Sequence, residues 1–223
     1  MKTLISLFVT LLSFVFVVAQ NTAPLCERFA HFGKVDLCLP VIEGMKECYT
    51  DSLVKPLIDA TDFKENDILG YYLTTANFKS RSNPEYLTAD NYIKLSGVVK
   101  LRDYEADTID LQKACKATEA HIQPQNWSKI KDKIETKGND INVGVPLLIK
   151  KLSVSDDANT YILLTKYISD KRSYIVATAL ILMLLKKRII SVTYYKSYTS
   201  EKDIDTCEEK SSSIVQKLLA ANK

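Results

Sequence analysis

Cysteines and histidines are the residues of this chain best suited to metal binding, thiol chemistry or disulfide formation. The chain has five cysteines and two histidines: Cys26, Cys38, Cys48, Cys115, Cys207, His31 and His121. Their spacings do not complete a zinc-binding pattern. An odd number of cysteines leaves at least one thiol free or paired outside the chain. The sequence therefore predicts one or two structural disulfides, no metal site and no cofactor.

The pairing of the cysteines depends on which segments lie side by side. A strand pattern over residues 33–42 is followed by a turn at Glu43-Gly44 and a possible return segment at residues 45–49. This hairpin would bring residue 38 close to residue 48. Cys38 with Cys48 is therefore the disulfide that the pattern favours, as a hypothesis, because connectivity cannot be deduced from one sequence.

Motifs of the large enzyme classes are missing from the sequence. It contains no GxSxG elbow, no HExxH, no Walker loop and no Rossmann glycine fingerprint. A thiol enzyme would have to pair Cys26 with a base such as His31, in surroundings that stabilise a thiolate. The adjacent carboxylates Asp156-Asp157 and Glu208-Glu209 could do acid–base work, but a turn and an exposed helix face explain them as solvated charge. We predict no catalytic residue and keep a secreted hydrolase or thiol enzyme as the alternative.

Two pairs of adjacent tyrosines lie in segments with strand character. Successive strand residues point to opposite faces of a sheet, so one ring of each pair would be buried and the other exposed. Exposed tyrosines on a rigid sheet suit contacts with a ligand or a protein. The candidate contact residues are therefore Tyr71, Tyr72, Tyr194 and Tyr195. The alternative is that these rings pack beneath helices with only their hydroxyl groups in water.

The start of the chain has the pattern of a secretory signal. Lys2 supplies a positive charge, residues 4–18 an apolar segment, and Val17 to Ala19 a small-residue cleavage site. We expect cleavage after Ala19, which leaves residues 20–223, about one domain, in the periplasm or outside the cell. We expect no membrane span after cleavage. The formal net charge of +3 gives no reason to expect nucleic acid as a partner.

Residues 159–198 predict the centre of the fold. They contain three runs rich in Tyr, Ile, Val, Leu and Thr, separated by short charged breaks, which is typical of an antiparallel meander. The middle run, residues 173–185, is apolar on both parities and should be covered on both faces. A membrane helix is the alternative, but it needs about 20 apolar residues, and Lys186 and Lys187 end this run earlier.

Further elements surround the meander. Strand patterns occur at residues 67–77 with a bulge at Gly70, at residues 91–101 with an interruption at Gly97, and at residues 142–152.

Helical spacing appears in three segments. The first helix runs from Asp107 to before Pro124, and the second begins at Asn126 and ends before Gly138. The third, at residues 200–222, has an apolar stripe that should pack on the meander.

The order of these elements resembles that of the PsbP-like and Mog-type superfamily. The likeness is carried by the strand ending in Leu39-Pro40, the meander at residues 161–198 and the final helix SSSIVQKLLAAN at residues 211–222. The resemblance implies an α/β/α sandwich with an antiparallel sheet and a non-enzymatic binding or assembly role, often in an exported compartment. It transfers no site residue. The helical insertion at residues 107–137 and the five cysteines depart from the pattern.

The sequence as a whole predicts an α+β fold, α/β/α sandwich-like, with a mainly antiparallel β-sheet covered by helices in one domain of residues 20–223. The expected function is that of an exported, non-enzymatic binding or assembly module. Its partner would be an unknown protein or a small-molecule ligand. An inhibitor or immunity-type protein shares these features and stays as an alternative.

Overall fold

The computed structural model describes residues 26–83, 91–124, 146–168 and 173–223. The predicted signal sequence and the predicted helix that begins at Asn126 lie outside these ranges. The predicted strand at residues 142–152 is described from residue 146 onward. All statements below concern the described residues.

Ten strands form two sheets. In chain order they are β1 Cys26–Phe32, β2 Val35–Pro40, β3 Met45–Glu47, β4 Asn66–Thr74, β5 Tyr92–Val98, β6 Gln123–Pro124, β7 Leu147–Ser155, β8 Ala158–Ile168, β9 Ser173–Leu185 and β10 Arg188–Ser197. β1 and β2 pair as a two-stranded antiparallel sheet. The other eight strands form one sheet in the order β3-β4-β5-β10-β9-β8-β7-β6, in which every neighbouring pair is antiparallel except β6 with β7.

Helices cover both faces of the large sheet. They are α1 Lys55–Thr61, α2 Thr75–Lys79, α3 Thr108–Ala120 and α4 Glu201–Ala221, with a short 3-10 turn at Val99–Leu101. The predicted α+β fold with a mainly antiparallel sheet is confirmed. None of the helices in the described part of the chain is long and apolar enough to cross a membrane.

The predicted meander is strands β8, β9 and β10, and β9 lies at its centre. One parity of β9, including Ala177, Ile181 and Met183, belongs to the main core, which α4 closes with Ile204, Cys207, Ile214, Val215 and Leu218. The other parity includes Leu182, which packs with Leu111 and Cys115 of α3. Both faces of β9 are therefore covered, and this explains why the run is apolar on both parities.

Besides the main core and the α3 cluster, a third hydrophobic cluster lies at the β3–β4 end of the sheet. Val54 immediately precedes α1 and Ile58 lies within it. Both pack with Cys48, Tyr71 and Leu73. Consequently α1 and α3 lie on one face of the large sheet, while α4 and the β1–β2 sheet lie on the other. The predicted packing of the C-terminal helix on the meander is confirmed.

The predicted hairpin between residues 33–42 and 45–49 is wrong. β2 pairs with β1, whereas β3 pairs with β4 through Met45 and Thr74. β1 and β2 form a hairpin through the two-residue turn Gly33-Lys34, where Gly33 has the positive φ of 61° that such a turn favours. The prediction placed the turn one segment too late, at Glu43-Gly44.

The predicted disulfide between Cys38 and Cys48 is wrong for the same reason. Cys38 bonds to Cys26 on the neighbouring strand β1, with their Cα atoms 5.5 Å apart. Cys48 lies instead beside β4, where its thiol donates to the carbonyl oxygen of Tyr71 at 3.2 Å. Cys48, Cys115 and Cys207 are buried and are not part of a disulfide within the described residues.

Two glycines predicted to disturb strands have different roles. The bulge at Gly70 is confirmed, since the β4–β5 register shifts between Ile68 and Gly70. Gly97 does not interrupt β5, which continues to Val98. A Cβ atom at Gly97 would meet Cζ of Phe32 at 2.4 Å, so glycine is required there by the close approach of the β1 phenyl ring.

Candidate functional site

The four candidate tyrosines lie on the two faces of the sheet, Tyr72 and Tyr194 on one and Tyr71 and Tyr195 on the other. Tyr72 and Tyr194 flank Ile93 in one row, through register pairs between β4, β5 and β10. Tyr195 pairs with Tyr92 in the neighbouring row on the other face. The pairs Tyr71-Tyr72 and Tyr194-Tyr195 thus do place their rings on opposite faces, as the strand pattern predicts.

These tyrosines are mainly core residues and not surface contacts. Tyr71, Tyr72 and Tyr194 are buried, and only Tyr195 is partly exposed. The Tyr195 ring stacks on Tyr92 with centroids 4.5 Å apart. Both faces of the sheet are covered at this end, so neither parity of β4 leaves an aromatic ring in solvent. Tyr194 borders a cavity that a ligand could enter.

That cavity, which we call the sheet–helix cleft, has a volume of about 370 Å³. It lies on the core face, between α4 and the ends of β4, β5 and β10. Its apolar lining comes from Ile42, Met45 and Ile93. The remaining lining groups are Glu43, Gly44, Thr74, Asn91, Tyr194, Lys196, Asp203, Thr206 and Lys210. The cleft thus combines an apolar patch with a larger set of polar and charged groups, and a concave site that offers both can hold a small molecule.

The sheet side of the cleft is fixed by a hydrogen bond between Tyr194 and Asn91. The Tyr194 hydroxyl group donates to Oδ1 of Asn91 at 2.5 Å. Asn91 has a φ of 54°, in the left-handed region that asparagine tolerates better than most residues. This bond ties the residue before β5 to the middle of the sheet. It therefore holds the wall of the cleft in one conformation.

The helix side of the cleft is fixed by Asp203 in the first turn of α4. Its carboxylate accepts hydrogen bonds from the backbone N–H groups of Thr199 and Ser200, at 2.8 and 3.0 Å, and pairs with Lys196 at 3.2 Å. Burial acts to raise its pKa, but the hydrogen bonds from Thr199, Ser200 and Lys196 outweigh it and lower the pKa to about 2. Asp203 is thus a charged helix cap that also neutralises the Lys196 ammonium group inside the cleft.

A second concave surface, which we call the polar groove, lies elsewhere on the molecule and has a volume of about 470 Å³. It is bordered by His31 at the end of β1, by the α1–β4 connection with Asp62 and Phe63, and by Asp67 and Arg102. Charged side chains dominate its lining. It is separate in composition from the sheet–helix cleft, with which it shares no residue.

Thiol chemistry finds no support in the positions of the cysteines. Cys26 is in the disulfide with Cys38 and cannot act as a nucleophile beside His31. His31 is exposed, and its Nδ1 bonds to Asp36 at 2.9 Å. Burial, with a further contribution from the charge of Glu47, raises the pKa of Cys48 to about 12. That thiol is protonated at neutral pH and is therefore a poor nucleophile.

The two candidate carboxylate pairs do not form an acid–base site. Asp156-Asp157 make the tight turn between β7 and β8. Glu208 forms an ion pair with Lys150 at 2.7 Å, and Glu209 is exposed on α4. Within the described residues there is also no group of three or more His, Cys, Asp or Glu side chains arranged to hold a metal ion.

Comparison with known proteins gives no match. No family model matches the chain, and neither a curated protein nor a solved structure matches it.

Sequence reasoning identified only Tyr194 among the residues of the cleft. The polar residues that it missed are Glu43, Thr74, Asn91, Lys196, Asp203, Thr206 and Lys210. One usable signal was present, because Ser200 and Asp203 have the spacing of a helix-capping pair. The others come from segments far apart in the chain, and no local pattern relates them.

Proposed function

We propose that this chain is an exported, non-enzymatic binding module that holds a small amphiphilic molecule in the sheet–helix cleft. The observation that carries the proposal is the combination of apolar walls with a charged mouth in one cavity of about 370 Å³. A cavity of this size is within the range that small-molecule ligands occupy. The ligand would place its apolar part against Ile42, Met45 and Ile93 and its polar end toward α4.

The charges at the mouth favour a ligand with a polar or anionic end. Lys196 is neutralised by Asp203 at 3.2 Å. Lys210 is exposed on α4 and has no ion-pair partner within the described part of the chain. Its ammonium group can therefore pair with an acidic or strongly polar ligand group at little cost in desolvation. Glu43 lies at the same mouth and would select against ligands that carry several negative charges.

Export is part of the proposal. The pattern of residues 1–19 supports it, and so does the disulfide between Cys26 and Cys38, because disulfides form and persist mainly in oxidising compartments. We also propose that the chain shares the architecture of the PsbP-like and Mog-type superfamily. What supports this is the final helix α4, which packs on the meander of β8, β9 and β10.

A dye-binding titration tests the cleft. The probe is anilinonaphthalene sulfonate, which has an apolar ring body, one negative charge and a fluorescence that rises in apolar surroundings. The blocking variant is Thr206→Phe, which adds a ring inside the cleft from the side of α4. The matched control is Glu209→Phe, which adds the same ring to the same helix at an exposed position that does not line the cleft.

We expect the unmodified chain and Glu209→Phe to bind the dye equally and Thr206→Phe to bind it about tenfold more weakly, a loss of about 1.4 kcal/mol. Melting temperatures of the three proteins, measured in parallel, confirm that each is folded. Equal affinity in all three proteins would show that the dye does not enter the cleft and would count against the proposal.

A further inference from the structure

The polar groove has a chemical character different from that of the sheet–helix cleft. Three aspartates border it, and each is already paired with a basic side chain. Asp59 pairs with Lys55, Asp62 with Lys94 at 2.9 Å, and Asp67 with Arg102 at 2.5 Å. Lys64 also borders the groove, is exposed and has no ion-pair partner within the described residues. The groove is therefore rich in hydrogen-bonding groups and carries no excess of negative charge.

This pairing decides which ligands suit the groove. A metal ion or a polycation would have to displace the ammonium and guanidinium groups that already pair with the aspartates. The new ion pairs would then only replace the ones that were broken. An apolar ligand would have to desolvate several charged groups without replacing their hydrogen bonds, which is costly. A neutral molecule with many hydroxyl groups avoids both penalties, because each hydroxyl group can donate to a carboxylate and accept from a cation.

Phe63 supplies an aromatic surface against which such a ligand could pack. Its side chain borders the groove and is 76% exposed. The backbone around it is held, since the Phe63 N–H donates to Asp62 Oδ1 at 2.8 Å and its carbonyl oxygen accepts from the Asn66 N–H at 3.1 Å. A large exposed aromatic ring on a fixed turn is costly to leave in water and offers a flat apolar surface to a partner.

The other aromatic ring of the groove, Tyr49, has a different role. Lys55 Nζ lies 4.8 Å from its ring centroid, and its hydroxyl group donates to Asp59 Oδ1 at 2.8 Å. Its ring is thus already engaged by a cation. Phe63 is the aromatic surface of the groove that remains accessible to a ligand.

We propose that the polar groove is a carbohydrate-binding site for a neutral saccharide, with Phe63 stacking on the apolar face of a sugar ring. Vicinal hydroxyl groups would bond to Asp67 and Arg102 at the same edge. Arg102 can still donate, since its contact with Asp67 engages one of its N–H groups. The volume of about 470 Å³ suits one or two sugar rings. This site is independent of the ligand proposed for the sheet–helix cleft.

Affinity electrophoresis tests the inference. The purified mature chain is run through native gels that contain starch, a mixed-linkage β-glucan, xylan or mannan, and retardation is measured against a gel without polysaccharide. The test variant is Phe63→Ala. The matched control is Phe29→Ala, because Phe29 is also highly exposed, at 62%, but lies on β1 and does not border the groove.

We expect at least one polysaccharide to retard the unmodified chain and Phe29→Ala. The affinity calculated from the retardation should be about tenfold lower for Phe63→Ala. Thr206→Phe, which blocks the other cavity, should be retarded like the unmodified chain. The inference is overturned if none of the four polysaccharides retards the chain, if both phenylalanine variants behave alike, or if Thr206→Phe abolishes retardation. Dye binding to Phe63→Ala should be unchanged, so failure of this inference is distinguishable from failure of the cleft proposal.

Discussion

The side chain of Asn222 pairs with the backbone of Cys38 as a neighbouring strand would. Its Oδ1 accepts from the Cys38 N–H at 2.8 Å, and its Nδ2 donates to the Cys38 carbonyl oxygen at 2.9 Å. These groups are 184 residues apart in sequence. Since Cys38 is also bonded to Cys26, the end of α4, strand β2 and strand β1 are joined at one point. This junction closes the main core on the side of the two-stranded sheet.

The first prediction concerns that junction. Asn222→Ala leaves the buried N–H and carbonyl groups of Cys38 without their partner, and each unsatisfied buried group is costly. We expect the free energy of unfolding to fall by about 3 kcal/mol, measured by urea denaturation. Lys223→Ala, one residue further on and exposed, should change it by less than about 0.5 kcal/mol. Similar small effects for both variants would show that the Asn222 contacts do not stabilise the fold.

The second prediction concerns the disulfide. Peptide mapping without reduction should recover Cys26 linked to Cys38, with Cys48, Cys115 and Cys207 in peptides that are not cross-linked. The bond closes a short loop, with a sequence separation of 12, so its removal by Cys26→Ser and Cys38→Ser together should cost about 3 kcal/mol in unfolding free energy. Recovery of a Cys38–Cys48 peptide would contradict the arrangement of β1 and β2.

The third prediction concerns the Cys48 thiol. Burial and the charge of Glu47 raise its pKa to about 12 in the folded chain, from an ordinary value of 9.0. Above pH 9 the unfolded chain loses this proton while the folded chain keeps it, so stability must decrease as the pH rises.

We expect the unfolding free energy to fall by about 1 kcal/mol more in the unmodified chain than in Cys48→Ala between about pH 8 and pH 10. Alkylation of the native protein at neutral pH should be correspondingly slow. Rapid labelling of Cys48 would instead favour a thiol enzyme.

The fourth prediction concerns Asp203. Burial opposes ionisation of this carboxyl group, but hydrogen bonds from Thr199, Ser200 and Lys196 outweigh it and lower its pKa to about 2, from 3.8. A carboxyl group whose pKa is lowered by folding stabilises the folded chain at pH values above its pKa in the unfolded chain. This contribution is lost as the pH falls toward the folded pKa. The unmodified chain should therefore lose about 2 kcal/mol from this group between about pH 5 and pH 2.

Asp203→Asn should be less stable at pH 7 and should lack this part of the acid dependence. Thermal unfolding across the pH range measures both effects. An identical pH profile for the two proteins would show that the carboxylate is not held by the contacts described.

Periodicity was enough to predict the central elements of this fold. The meander and α4 have long, regular patterns, and both are present where the patterns place them. The bulge at Gly70 also followed from a single residue type in a strand. These features are local, because the residues that specify them are close together in sequence.

The site was much harder to predict because its residues become neighbours only through long-range pairing. Both faces of the sheet are covered, so a tyrosine pair such as Tyr71-Tyr72 has no exposed member, contrary to the expectation from strand alternation. Likewise, Asn91 reaches Tyr194 only because β5 pairs with β10. The register of nonlocal strands is not encoded in any short segment. The disulfide prediction failed on a local choice instead, because β2 pairs back on β1 across Gly33-Lys34 and not with the segment after Gly44.

The most direct test of the binding proposal is to locate the bound dye in the amide NMR spectrum of residues 20–223. On addition of anilinonaphthalene sulfonate, the proposal predicts shifts concentrated at Gly44, Thr74, Asn91, Thr206 and Lys210, which meet only at the sheet–helix cleft. Those shifts should be reduced in Thr206→Phe and retained in Glu209→Phe. Shifts that cluster on another surface, or no shifts at saturating dye, would contradict the assignment of the cleft as the binding site.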